Sequence, residues 1–239
     1  MKTKIQTMTL EIEMEIKTLS QKIATKGKLE DRICSLIEDF REGREITDFR
    51  FDQVYPSTVR SLSTTHWSPV DVATRAADFL ADSRKTRILD VGSGSGKFCT
   101  VAALSSHGQF IGIEQQSYLA DVAKNVANAL GAKNAAFIHG NMADLDWSFF
   151  DAFYFFNPFY ENKMKSIRID GTMSMGIQKF NRYIEIVRTK LRTAKTGTKV
   201  ATYHGFGGEM PLGYQLVKRE PIGTSILELW VKVEMTRPF

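Results

Sequence analysis

Cysteine is scarce in this sequence. Cys34 and Cys99 are the only two among 239 residues, and they form neither a metal-binding nor a disulfide spacing. A reducing compartment fits this usage, although the two thiols can still pair. The four histidines are scattered without zinc spacing, so no metal is expected. Long apolar runs are also missing, and none approaches the ~18–20 residues that span a bilayer. The opening stretch, MKTKIQTMTLEIEMEIK, carries Glu11, Glu13 and Glu15 where a signal peptide needs apolar residues. A cytoplasmic location without a membrane partner is therefore expected. Neither an internal repeat nor a low-complexity segment is present. A dense Lys/Arg run is absent too. The net charge of +5 and a pI near 9.1 leave nucleic acid open as a partner but mark no binding face for it.

What is present is an ordinary globular composition. Hydrophobic residues make up 43% and charged residues 25%, enough apolar material for one sizeable core. The length allows one large domain or a domain with a small appendage. Ile12, Ile16, Leu19 and Ile23 fit a helical stripe, and Leu29, Ile33, Ile37 and Phe40 fit a second. Gly27 separates the two, and Gly43 suits a C-terminal cap. A strand over MTLEIEMEI, which alternates with period two, is the competing reading. Residues 44–66 read as extended and irregular. Residues 1–63 are thus expected to form a helical N-terminal extension, and 64–239 the main domain.

From Ser68 the pattern becomes regular. Ser68 is a candidate N-cap and Pro69 suits a first helical turn, with Val72, Ala76 and Leu80 on the buried face. Strands are predicted at 87–91, 110–114, 135–139, 152–156 and 199–203. Helices are predicted at 97–105, at 117–130 and around Phe180–Leu191. Two last strands, near 214–218 and 226–233, suit a hairpin. Strand–helix alternation of this kind predicts a parallel sheet covered on both faces, an α/β/α sandwich, with antiparallel strands added at one edge.

One stretch carries chemistry. ILDVGSGSGKF runs from a strand into a turn containing Gly92, Ser93, Gly94 and Gly96. The dinucleotide fingerprint is GxGxxG, but here the last glycine comes one place early and Lys97 stands in its position. A long side chain there disfavours NAD. Glu114 ends the next predicted strand, 24 residues after Asp90, where a carboxylate can accept both hydroxyls of a ribose. The plainer readings are a glycine turn needed only for positive φ and a surface glutamate.

The compact GxGxG preceded by Asp90 resembles motif I of the class I S-adenosylmethionine-dependent methyltransferases. IGIEQQSYLADVAKNV resembles the second motif of that family, and FIHGNMADLDW the third. NPFY, residues 157–160, resembles the fourth, in which Asp, Asn or Ser precedes two prolines and an aromatic residue. It also resembles the Asn-Asn-Phe stretch of the non-SET lysine methyltransferases. Two departures stand out: Asn141 replaces the family's usual acidic residue, and Phe159 replaces the second proline.

The resemblance implies a Rossmann-like sheet of seven strands with the last one antiparallel, and S-adenosyl-L-methionine as cofactor. It implies that Asp90, Gly92, Ser93, Gly94 and Gly96 receive the amino-acid end. It places the ribose at Glu114, with Gln115 beside ribose and adenine. Asn141 and Met142 would meet the adenine, the Met142 thioether packing on its ring. Trp67 and Ser68 would cover the carboxylate end. Asn157 and Pro158 would orient an acceptor amino group through their oxygens, while Phe159 or Tyr160 would stack on the substrate or face the sulfonium.

The expected activity is methyl transfer to a nitrogen, on a protein side chain or a small amine. A nucleic-acid or small-molecule acceptor is the alternative. An NAD-dependent oxidoreductase and a non-catalytic cofactor-binding module are the competing classes. His204 is a candidate base or a structural strand-end residue. The GFGG loop after it is a lid or a bridge, and residues 161–176 shape a pocket or form a solvated loop. The N-terminal helices are expected to build the acceptor pocket or to join two copies of the chain.

Overall fold

The computed structural model describes residues 27–61, 63, 67–159 and 177–234. The stripe expected over Ile12–Ile23 lies outside these residues, as do Tyr160 and the loop that follows it. The chain divides into two compact units, Met1–Val54 and Tyr55–Phe239.

In the first unit a helix, α1, covers residues 27–41. The expected separation of two helices at Gly27 involves residues that lie outside the described ones. Gly43, at φ +64°, ends the helix as the cap expected there, and the Arg44 N–H donates to the Asp39 carbonyl at 2.9 Å. The inward positions are Leu36 and Asp39, while Leu29 is exposed. A buried carboxylate needs partners, and Asp39 has them in Arg44 Nε at 2.7 Å and Arg50 Nη2 at 2.5 Å.

Residues 44–66 are not wholly irregular. They contain two short helices, α2 (Asp48–Asp52) and α3 (Ser57–Arg60), the second in the larger unit. Thr47 Oγ1 accepts the Arg50 N–H at 3.3 Å, an N-cap that apolar periodicity does not reveal.

The second unit continues with α4 (Val70–Leu80), β1 (Arg87–Val91), α5 (Lys97–Ser105), β2 (Gln109–Glu114), α6 (Ser117–Ala129) and β3 (Ala135–His139). Then come β4 (Ala152–Phe156), α7 (Ile177–Thr193), β5 (Lys199–Tyr203), β6 (Tyr214–Ile222) and β7 (Ser225–Lys232). These bounds follow the predicted alternation closely. Helix α4 starts one residue later than expected, with Pro69 at the N-cap and no side-chain cap bond. Ser68 does not cap it, because its hydroxyl is taken by Tyr154 Oη at 2.7 Å. A buried phenol needs that partner.

The seven strands lie in the order β3-β2-β1-β4-β5-β7-β6. Strands β1 to β5 are parallel, and β7 runs antiparallel to both β5 and β6. The register pairs Ile88 with Phe110 and with Ala152, and Val200 with Trp230. The central strands RILDV and AFYFF are buried on both faces, hence their near-continuous apolar runs.

Alternate residues serve opposite faces. Leu89, Val91, Phe153 and Phe155 pack with Phe180, Tyr183, Ile184, Val187 and Leu191 of α7. On the other face Phe98 of α5 stacks on Tyr154 at 3.7 Å and meets Phe110 edge-on at 6.1 Å. Because β1 to β5 are parallel, their C-terminal ends share one edge of the sheet. That edge carries Gly92, Glu114, Gly140, Asn157 and His204. Among the described residues no helix is long and apolar enough to cross a membrane.

Candidate active site at the C-terminal edge of the sheet

The glycine turn after β1 is held from below. The amides of Gly92 and Ser93 both donate to the Ile113 carbonyl at 3.0 Å, so the turn is pinned to β2. Gly92, Gly94 and Gly96 have φ of +75°, +54° and +78°, a region other residues enter only at a cost. Their surroundings differ. A Cβ on Gly96 would lie 2.6 Å from Ala123 Cβ and from the Phe137 ring, and one on Gly92 would lie 2.8 Å from Pro158 Cβ. A Cβ on Gly94 would meet nothing within 4 Å. Gly94 is thus the residue whose bare backbone faces open space, which suits the close approach of a ligand. Beneath the turn the hydroxyls of Ser93, Ser95 and Thr100 are buried without a hydrogen-bond partner.

Two carboxyl groups converge here. The Glu114 carboxylate accepts the Gly94 N–H at 2.9 Å through one oxygen and the Gln116 N–H at 2.9 Å through the other. Each oxygen keeps further lone pairs for a diol. Burial raises its pKa, and the backbone amides oppose that rise. Asp90 is 3% exposed and takes a hydrogen bond from Cys99 Sγ at 3.5 Å. Burial pushes its pKa up to about 8, the Cys99 bond lowering it and the Glu114 charge raising it further.

The Asp90 shift has a sign that stability measurements can read. The folded chain keeps the Asp90 proton up to about pH 8, whereas the unfolded chain releases it near the ordinary aspartate value of 3.8. Between those values the folded state binds more protons. Rising pH therefore erodes stability, by up to about 1.4 kcal/mol per pH unit from this group. Asp90→Asn removes the effect. Denaturant unfolding at about pH 5 and about pH 7.5 should show the wild-type protein losing more stability across the interval than the variant. Equal losses would mean that Asp90 is ionised in the fold.

The adenine-side candidates meet at a tyrosine that sequence reasoning passed over. Gln115 Nε2 donates to Tyr183 Oη at 2.7 Å, and Asn141 Nδ2 donates to the same oxygen at 3.2 Å. Asn141 Oδ1 accepts the Ala143 N–H at 3.0 Å. His139 Nε2 lies 3.1 Å from the Gln115 carbonyl. Gln115, Asn141 and Tyr183 line a cavity of about 410 Å³, together with Lys179 and Arg182 of α7. Met142 adjoins Asn141 in the loop after β3. It is buried in the core cluster with Trp147, and its carbonyl accepts the Trp147 Nε1–H at 3.1 Å.

The turn after β4 sits against the glycine turn. Asn157, at φ +40°, is one of two non-glycine residues with positive φ among the described residues, and His204, at φ +60°, is the other. Such outliers cluster at functional sites. They stand at neighbouring strand ends and are linked, since the Asn157 N–H donates to the Gly205 carbonyl at 2.8 Å. Phe159 is 5% exposed and stacks on Tyr183 at 5.2 Å, so its ring anchors the turn instead of standing open to a substrate.

His204 is exposed and packs its ring against Phe156 and Tyr203; desolvation lowers its pKa. The GFGG loop behaves as a bridge. Phe206 is buried, and a Cβ on Gly208 would lie 2.5 Å from Ile184. Trp67 is buried against Tyr55 at 4.4 Å, with Lys97 Nζ 5.9 Å from its ring centre. Ser68 is likewise buried, bonded to Tyr154.

Comparison with known proteins accords with this arrangement. Residues 82–198 match the family model described as "Methyltransferase domain". The fold is similar to that of TrmN from Thermus thermophilus, with a TM-score of 0.53 and 18% identity over 73% of this chain and 52% of that one. This chain therefore spans about half of TrmN. It is also similar to an RNA methyltransferase from Salinibacter ruber in complex with S-adenosyl-L-homocysteine, at 20% identity over 70% of this chain and 92% of that one, TM-score 0.49. The ribosomal protein L11 methylase of Lactobacillus delbrueckii subsp. bulgaricus gives 14% identity over 68% and 78%, TM-score 0.46. No curated protein matches the sequence.

Proposed function

We propose that this chain, whose residues 82–198 match a methyltransferase-domain family model, is a class I S-adenosylmethionine-dependent methyltransferase and moves the cofactor's methyl group onto a nitrogen of a protein side chain or small amine. The nitrogen reading rests on the acceptor oxygens of Asn157 and Pro158, and the contact between the two turns supports placing them at the cofactor. Pro158 packs so closely on Gly92 that a Cβ there would come within 2.8 Å of it. An acceptor held by Asn157 would thus lie beside the ligand received at the glycine turn.

The residues fit the cofactor. Gly94 offers open space, and Glu114 offers a carboxylate with lone pairs to spare. Gln115 and Asn141 line the cavity next to it. When bound, S-adenosylmethionine supplies an electrophilic methyl on a positively charged sulfur. The chain's own work is positioning and exclusion of water. Glu114 holds the ribose end, and the glycine turn fixes the amino-acid end. The Asn157 side-chain oxygen and the Pro158 carbonyl accept N–H bonds from the acceptor. That aims the nitrogen lone pair and favours the positive charge that grows on nitrogen.

Two outcomes follow. Glu114→Ala should weaken S-adenosylmethionine binding by about 1.5–3 kcal/mol, the worth of hydrogen bonds to a charged group; an unchanged calorimetric affinity would remove Glu114 from the site. Incubating the protein with labelled S-adenosylmethionine and fractionated cell extract should place label in N-methyl groups recovered after acid hydrolysis. Label released as methanol by mild base would instead identify a carboxylate acceptor.

A further inference from the structure

We infer that Tyr183 is a positioning residue that couples the nucleoside end of the cofactor cleft to the turn presenting the acceptor. The inference rests on the cofactor reading above.

Helix α7 follows β4 and leads into β5, which is parallel to it. It must therefore run back across the sheet, with its first turns at the C-terminal edge. Tyr183 lies in those turns. Its phenol oxygen accepts from both Gln115 and Asn141, at 2.7 and 3.2 Å. One side chain of α7 thereby ties together the loops after β2 and β3. A phenol has two lone pairs and one proton. Two amide donors fill the lone pairs and leave the O–H to donate. The residue lines the cavity of about 410 Å³, so that proton is available to an acceptor nitrogen of a purine bound there.

The ring of the same residue does the second job. It stacks on Phe159 at 5.2 Å with planes 29° apart. Phe159 follows Asn157 and Pro158 directly, and both rings are buried. Lys179 Nζ lies 5.8 Å from the Tyr183 ring centre. The phenol end of one side chain thus reads the cavity, while its ring face holds the turn after β4. Cofactor that fixes the phenol also fixes Phe159, and with it the backbone of Asn157. Packed side chains with discrete arrangements carry coupling of this kind.

The two halves separate by substitution. Tyr183→Phe keeps the ring and removes the oxygen; Tyr183→Leu removes both. Three measurements on the full chain decide: S-adenosyl-L-homocysteine affinity by calorimetry, hydrogen exchange at residues 155–159 with and without that ligand, and melting temperature. The wild-type protein should bind the ligand and show slower exchange at 155–159 when bound. Tyr183→Phe should bind about 2- to 10-fold more weakly, as loss of a neutral hydrogen bond implies, and should show less of the ligand-induced slowing even at saturating ligand. Tyr183→Leu should still bind at raised ligand concentration but lose the slowing.

Unchanged affinity in Tyr183→Phe overturns the inference. So does slowing that persists in Tyr183→Leu, because the ligand would then be protecting the turn directly. Should Tyr183→Leu fail to fold, the Tyr183→Phe affinity decides alone. Failure of the wild-type protein to bind the ligand at all sinks the cofactor reading itself, which is a different result.

Discussion

Replacing Asn157 should lower single-turnover methyl transfer by about 10²–10³-fold, the cost of losing one positioned polar partner in a transition state, while S-adenosylmethionine affinity stays nearly intact. The structure sharpens the choice of variant. Asn157 has φ +40°, which asparagine tolerates and alanine does not. Asn157→Ala therefore removes an oxygen and adds backbone strain of about 1–2 kcal/mol. Asn157→Gly removes the oxygen without that strain. If the side chain orients the acceptor, both variants lose the same rate. If the residue matters only for its backbone conformation, Asn157→Gly keeps both rate and melting temperature, and only Asn157→Ala suffers. Single-turnover rates on the acceptor fraction found by labelling separate the two.

The second large effect divides the glycine turn. In Gly96→Ala the new Cβ would lie 2.6 Å from Ala123 and Phe137, at φ +78°. Overpacking of about 1–3 kcal/mol adds to left-handed strain of about 1–2 kcal/mol. At roughly 2–4 °C per kcal/mol for a chain of this size, the melting temperature should fall by about 5–15 °C. Gly94→Ala, at φ +54° with open space around it, carries only the strain. It should melt within a few degrees of the wild-type protein, yet bind S-adenosylmethionine on the order of tenfold or more weakly, because its Cβ enters the space the ligand needs. A normal affinity in Gly94→Ala would place the ligand elsewhere.

Much of this was legible in the sequence because period and punctuation carry it. The sheet strands and the helices after β1 and β2 sit where apolar runs and glycines put them. The antiparallel hairpin was visible as two strand patterns after the last helix. The strand order was not, since only pairing defines it. Thr47 and Pro56 start short helices that apolar periodicity hides.

At the site, the order of motifs located Gly94, Glu114 and Asn157 on one edge. Side-chain direction was another matter. Met142 and Phe159 lie in loops whose residues turn inward or outward without any periodic signal, and both turned inward. Ser68 was claimed by a buried phenol 86 residues away, a partner no local pattern announces. Tyr183 was absorbed into the apolar stripe of its helix, where its ring does belong. Its hydroxyl contacts depend on the loops after β2 and β3.

The most direct test of the cofactor assignment is a pair of calorimetric titrations of this chain, one with S-adenosylmethionine and one with NAD. Lys97 stands where the dinucleotide fold keeps a third glycine, and the antiparallel β7 intervenes between β5 and β6. S-adenosylmethionine should therefore give saturable heat at one site per chain, and NAD none. Saturable heat from NAD alone would contradict the assignment and return Glu114 and the glycine turn to an oxidoreductase.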